Sequence, residues 1–284
     1  MKILLTGRDG QVGRSLARRL AAWAEVVALG RAELDLRDTE AIARTVRDVH
    51  PDVIANTAAY TAVDRAEAEE AEARAVNAGA PGHLANEARR IDALLLHFST
   101  DYVFDGRKPS PYVETDSPGP LNAYGRTKLE GERAVAASGA RHVIFRTSWV
   151  YGPGGQNFVS AILRAARAGR DLRVVDDQRG APTSSEALAE AVDRILQDRV
   201  LRDRAGGLYH LSAAGETTWH GFACELLERA GLSRTVTAIR AAEYGAVAQR
   251  PANSLLDNTR FAERFELRLP GWREQLAATL PAIL

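Results

Sequence analysis

Tyr124 and Lys128 stand four residues apart in a chain of 284, a spacing that puts both on one face of a helix. A phenol with a pKa of about 10 is a poor proton donor at neutral pH. A neighbouring ammonium stabilises the phenolate and lowers that pKa, so the pair is a candidate general acid or base. Only three of the 37 basic residues are lysine (Lys2, Lys108 and Lys128), and with seven tyrosines chance supplies about 0.07 such pairs. A solvated helix face is the bland alternative.

A second chemical feature opens the chain. Gly7, Gly10 and Gly13 fall in the run Thr6-Gly7-Arg8-Asp9-Gly10-Gln11-Val12-Gly13, after the apolar stretch Lys2–Thr6. Glycines there allow a tight turn, close backbone approach to a pyrophosphate and close packing of strand on helix. The following helix offers free N–H groups and the positive end of its dipole. The turn therefore predicts a dinucleotide site at Gly7, Gly10, Gln11, Val12 and Gly13.

The second strand ends Leu29-Gly30-Arg31, with arginine where an acidic residue would hold the ribose 2′-hydroxyl of NAD. Arg31 thus points to a 2′-phosphate and to NADPH, with NADH possible, unless it is simply solvated. Asp35 and Leu36 are placed at the adenine side. Lys128 also suits such a cofactor, because its compact ammonium can reach the nicotinamide ribose.

These groups need a scaffold that gathers strand ends. Lys2–Thr6, Glu25–Leu29, Val53–Thr57, Leu94–Ser99 and His142–Thr147 read as strands alternating with helices, the pattern of a parallel sheet wound on both faces. Asp38 or Thr39 caps the second helix. Ligands of such sheets sit at the carboxyl ends of strands, where Ser99, Thr100 and Asp101 lie. The expected fold class is α/β: a doubly wound (Rossmann) sheet with a smaller mixed α/β C-terminal domain. Residues 1–150 are expected to form the NADP(H)-binding domain, with 172–211 partly returning to it. Residues 151–284 form the substrate domain, with helices near 156–167, 184–197 and 219–230 and strands near 173–175 and 208–211.

Composition narrows the field. Lys+Arg and Asp+Glu are both 37, a zero net charge without the basic excess of a nucleic-acid binder. No apolar run approaches the roughly 20 residues of a membrane span, and the first residues lack a signal-peptide pattern. One cysteine, Cys224, excludes a disulfide framework. The expectation is a cytoplasmic protein, monomer or homodimer, with no nucleic-acid or membrane partner. The six histidines do not cluster at metal spacing. Arg179 and Arg250 are either clamps for a diphosphate or solvated. Asp64–Glu72 reads as a solvated helix face, and Trp23, Trp219 and Trp272 as packing residues.

Gly7-x-x-Gly10-x-x-Gly13, Thr100 and Tyr124-x-x-x-Lys128 together resemble the extended short-chain dehydrogenase/reductases. Within them, the runs 56–64, 99–106, 146–152 and 250–254 are similar to the dTDP-4-dehydrorhamnose reductase family. That resemblance implies reduction of the C4 ketone of dTDP-4-dehydro-β-L-rhamnose by a nicotinamide hydride, with Tyr124 as proton donor. It also implies that Lys128 depresses the tyrosine pKa and binds ribose, and that Thr100 orients the carbonyl. Asp101 and Trp149 would contact the sugar nucleotide, and Ala58, Ala59 and Thr61 the cofactor. Related 4,6-dehydratases carry glutamate where this chain has Tyr102, which favours simple reduction. Some members hold magnesium at a dimer interface through a glutamate where this chain has Ser15, a much weaker hard-cation ligand, so no metal is expected. A cofactor-binding regulatory subunit and a nucleotide-sugar epimerase are the alternative readings of the same fold.

Overall fold

The computed structural model describes residues 1–284. The first half runs β1 (Lys2–Thr6), α1 (Gln11–Leu20), β2 (Glu25–Leu29), α2 (Thr39–Val49), β3 (Val53–Asn56), α3 (Val63–Ala66), α4 (Glu70–Arg74), α5 (Ala80–Arg90), β4 (Leu94–Thr100), α6 (Ala123–Ala137) and β5 (His142–Thr147). It continues β6 (Val150–Tyr151), α7 (Phe158–Arg167), β7 (Leu172–Val175), β8 (Arg179–Gly180), β9 (Thr183–Ser184), α8 (Ser185–Gln197), α9 (Arg199–Arg204) and β10 (Gly207–His210). Last come β11 (Thr217–Thr218), α10 (Trp219–Arg229), β12 (Val236–Ile239), α11 (Ala241–Tyr244), α12 (Thr259–Phe265) and α13 (Trp272–Thr279).

Six strands form one parallel sheet in the order β10-β5-β4-β3-β1-β2. Its central strands are apolar on both faces because both faces are covered. Ile3, Leu5, Leu94 and Leu96 pack against α1 and α8, whereas Leu4, Ile54 and Leu95 pack against α2 and α5. Asp38 caps α2 through the Ala41 N–H, as its position before Thr39 suggests. Strands are added to one side of β1 for β2 and to the other for β3, and this change of winding direction opens a crevice beyond the carboxyl ends of β1 and β3.

A second apolar cluster lies outside this sheet. Leu163, Leu172, Phe222, Leu226, Trp272 and Leu276 bring α7, β7, α10 and α13 together. The expected return of 172–211 to the first domain divides in two. β7 pairs with β12 and stays outside, whereas α8 packs on α1 and β10 adds the sixth strand beside β5. Phe261 and Phe265 of α12 also pack into the first core, so the C-terminal chain crosses back a second time. No helix is long and apolar enough to cross a membrane.

Candidate active site

A cleft of about 700 Å³ runs beyond the carboxyl ends of β1, β3 and β4. Its floor at one end is the glycine-rich turn, and each glycine has its own reason to be there. Gly7 has φ +77°, and a Cβ on it would meet the Ala58 nitrogen at 2.6 Å, so the fold itself demands glycine. A Cβ on Gly13 would overlap the Gly7 carbonyl, and Gly13 does not line the cleft. Gly13, expected to touch the cofactor, is therefore a packing residue that lets α1 sit against the β1 turn. Gly10 differs from both. A Cβ there would meet only the Gly7 carbonyl, at 3.3 Å, so what its bareness keeps open is the cleft.

Gly10 is also the N-cap of α1 and has no side chain to cap it, which leaves the first N–H groups of the helix facing the cleft. Gln11, Val12, Ala58, Ala59 and Thr61 line the same space. Arg31, Asp35 and Leu36 line it as well. The exposed Arg31 guanidinium pairs with Glu72 at 3.1 Å. Sequence reasoning missed two partners here. Arg37 bridges Asp35 (2.6 Å) and Glu72 (3.3 Å), and its hydrogen bonds hold the Asp35 carboxyl down at about 2.

The other end of the cleft holds Thr100, Asp101, Tyr124, Lys128 and Trp149. Helix α6 supplies the pair. Asn122 caps it by accepting the Gly125 N–H at 2.8 Å, which places Tyr124 in the first turn and Lys128 one turn later. Gly125 lets the turn after β4 close onto α6, since a Cβ there would overlap the Tyr102 carbonyl. Thr100 is thereby brought beside Tyr124, while its own hydroxyl donates to Asp101 at 2.9 Å and accepts the Tyr102 N–H at 3.2 Å.

The electrostatics differ from the expected picture. Burial pushes Tyr124 up to about 12, the Asp101 charge adds to the rise, and the Thr100 hydroxyl pulls against it. The Lys128 ammonium is held by other partners. Lys128 Nζ donates to the Phe98 carbonyl at 2.6 Å and lies 3.4 Å from His97 Nε2, beneath the cleft. Burial lowers Lys128 itself to about 8. Asp101 is also buried, and burial raises it to about 6 against the pull of its hydroxyl neighbours. Its Oδ1 accepts from Thr100 at 2.9 Å, while Oδ2 is buried with no hydrogen-bond partner.

Trp149 adopts φ +47°, a left-handed conformation that costs a bulky residue of order 1 kcal/mol or more. Its ring stacks on Trp219 at 3.6 Å and 7°. Trp219, expected to be a packing residue, lines this cleft and also a second one of about 590 Å³, with Arg173, Gln178, Tyr244 and Arg250. Its place at the first turn of α10, straight after Thr217-Thr218, was the available signal. Trp23 and Trp272 do pack, donating to Asp193 and the Glu216 carbonyl. Neither candidate diphosphate clamp is free: Arg250 makes a two-pronged bond to Asp64, and Arg179 pairs with Glu216 at 2.6 Å.

Ser15 faces away from the cleft, between α1 and α8. Its hydroxyl donates to Glu186 at 2.6 Å, and the other oxygen of Glu186 takes the Arg18 guanidinium. One carboxylate already held by a cation does not fit a divalent metal, and no group of three or more His, Cys, Asp or Glu is placed to hold one.

Residues 1–284 match the family model described as the RmlD substrate binding domain. The dTDP-4-dehydrorhamnose reductase of Burkholderia thailandensis is 47% identical, over 96% of this chain and 96% of that protein. The enzyme of the same name from Escherichia coli K12 is 41% identical, over 96% and 95%. Among solved structures, dTDP-4-dehydrorhamnose reductase from Bacillus anthracis in complex with NADP superposes with a TM-score of 0.93 at 31% identity, covering 99% of this chain and 98% of that one. A Thermus thermophilus UDP-glucose 4-epimerase with NAD, 20% identical with a TM-score of 0.83 over 99% and 98%, shares the fold.

Proposed function

The chain belongs to the dTDP-4-dehydrorhamnose reductase family, and from that premise we propose that it is an NADPH-dependent oxidoreductase that reduces the C4 ketone of dTDP-4-dehydro-β-L-rhamnose to dTDP-L-rhamnose. The observation that carries this reading is the meeting of Thr100, Tyr124 and Lys128 at one end of a cleft whose other end is an uncapped helix terminus behind bare Gly10.

The residues present fit the cofactor. The α1 N–H groups and Gly10 suit a pyrophosphate, and Arg31 stands at the rim where a 2′-phosphate would be neutralised. Bound there, NADPH supplies the hydride.

The chain supplies the proton and the orientation. With its pKa near 12, Tyr124 keeps its proton throughout the neutral range. An alkoxide is a stronger base than a phenolate, so transfer from Tyr124 to the developing C4 oxygen runs downhill without the lowered pKa that the spacing suggested. Thr100, beside the phenol on the same cleft wall, is set to hold the same oxygen. Asp101 offers its free Oδ2 to a sugar hydroxyl, and the Trp149–Trp219 stack forms a flat wall for the ring. The second cleft, which shares Trp219 as a wall with the first, is the place for the nucleotide, where Gln178 and Tyr244 would provide a polar and an aromatic contact.

The test is NADPH oxidation with dTDP-4-dehydrorhamnose, comparing wild type with Tyr124→Phe. Loss of a positioned general acid is expected to lower kcat about 10³-fold with NADPH binding intact. Undiminished turnover in the variant would reject the assigned role, and stoichiometric NAD retained through purification would favour an epimerase.

A further inference from the structure

The face of the sheet under α6 is apolar except near the carboxyl ends of its strands. There Thr6, Asn56 and His97 occupy adjacent register positions on β1, β3 and β4. All three are buried and joined side chain to side chain: Thr6 Oγ1 to Asn56 Oδ1 at 2.7 Å, and Asn56 Nδ2 to His97 Nδ1 at 3.1 Å. His97 Nε2 then faces Lys128 Nζ at 3.4 Å. Burying three polar side chains in a row is costly unless each is satisfied, and a satisfied row fixes orientation.

We propose that His97 is a positioning residue for Lys128: its Nε2 lone pair and the Phe98 carbonyl are the two acceptors that hold the ammonium beneath the cleft. The inference rests on the reading above that places Lys128 with Tyr124 and Thr100 at the reacting end of the cleft. The carboxylate nearest to hand makes no hydrogen bond to the ammonium, although its charge raises Lys128 against the pull of burial. Glu132, one turn further along α6, gives both oxygens to Arg146 of β5, at 2.9 and 2.6 Å, and also accepts from Ser99. The remaining titratable group that acts on the pair is His142 of β5, through His97.

The row couples the imidazole tautomer to the charge on Lys128. With Asn56 Nδ2 toward the ring, Nδ1 must accept, so the ring proton sits on Nε2 and only an uncharged amine can face it. A half-turn of the Asn56 amide presents its oxygen instead, Nδ1 carries the proton, and Nε2 accepts from an ammonium. Burial keeps His97 well below the ordinary histidine range, so the ring stays neutral in both orders. The order with the proton on Nδ1 is the one that serves a charged Lys128.

Two measurements test this. In the first, the alkaline limb of the kcat/KM profile, with NADPH and dTDP-4-dehydrorhamnose, is compared among wild type, His97→Asn and His97→Gln. Asparagine keeps a partner for Asn56 but falls short of Lys128, whereas the longer glutamine can set its amide oxygen near the Nε2 position. The limb is expected to move down by about one pH unit in His97→Asn, a tenfold loss on the alkaline side, and to return in His97→Gln. An unmoved limb in a folded His97→Asn variant overturns the proposal. The second measurement is the ¹⁵N spectrum of histidine-labelled wild type at pH 7. A ring proton on Nδ1 of His97 is expected, and a proton on Nε2 overturns the proposal. The spectrum requires neither substrate nor variant, so it decides the matter even if the sugar nucleotide above is not turned over.

Discussion

Replacing Lys128 by methionine separates what the side chain does for catalysis from what its burial costs the fold. Lys128 is 1% exposed, and burial lowers its ammonium from 10.5 to about 8. Its charged form is therefore less favourable in the folded chain than in the unfolded one, by about 3 kcal/mol at pH 7. Between pH 8 and 10.5 the unfolded chain binds this proton and the folded chain does not. Wild-type stability from this group consequently rises with pH across that window, and about 2 kcal/mol of the penalty is gone by pH 9.5. Methionine fills a similar volume without charge, but gives up the hydrogen bond to Phe98, a loss of roughly 1–2 kcal/mol. Lys128→Met is expected to lose turnover, yet to be more stable than wild type at pH 7 by roughly 1–2 kcal/mol, or a few degrees in Tm. Urea unfolding of both proteins at pH 7 and 9.5 checks this, because other titrating groups cancel in the difference. The margin of the variant should shrink by about 2 kcal/mol at the higher pH. A variant less stable than wild type by the same amount at both values would refute the reasoning, since no penalty for a buried ammonium would then exist.

Three further outcomes are expected. Gly10→Ala should fold, because its Cβ meets only the Gly7 carbonyl at 3.3 Å, yet raise the Kd for NADPH at least tenfold; Gly13→Ala should fail in the soluble yield or thermal melt, before any binding assay. Calorimetric NADPH affinity equal to wild type in Gly10→Ala would show that the bare face is not used. Arg31→Ala should weaken NADPH about tenfold and NADH little, measured as the ratio of kcat/KM values, because its exposed guanidinium, paired only with Glu72 at the surface, would act on the 2′-phosphate that NADH lacks. Excess chelator should leave turnover unchanged, with Glu186 held by Arg18 and Ser15; activity lost on chelation and restored by magnesium would contradict that reading.

The glycine turn, the strand–helix alternation and the Tyr124/Lys128 spacing were legible because each is a local pattern: a bend with no room for Cβ, a period of two or 3.6, one helical turn. What the sequence did not disclose is relational. Lys128 was expected to act on Tyr124 because spacing reports which residues share a helix face. It does not report that β4 passes under that face and offers the ammonium a carbonyl and an imidazole. Thr6, Asn56 and His97 each look like a polar residue near the end of an apolar strand, and only the register of three parallel strands shows that they form one row. Trp219 packs against the second core as expected, but it also walls the cleft, and a tryptophan opening an amphipathic helix looks the same in either setting. Its partner Trp149 comes from a different strand end, held in a strained conformation. Polar strand ends that fall in one register row are therefore the feature to seek when a catalytic lysine is recognised from spacing alone, for they decide which acceptors its ammonium finds and hence the pH at which it remains charged.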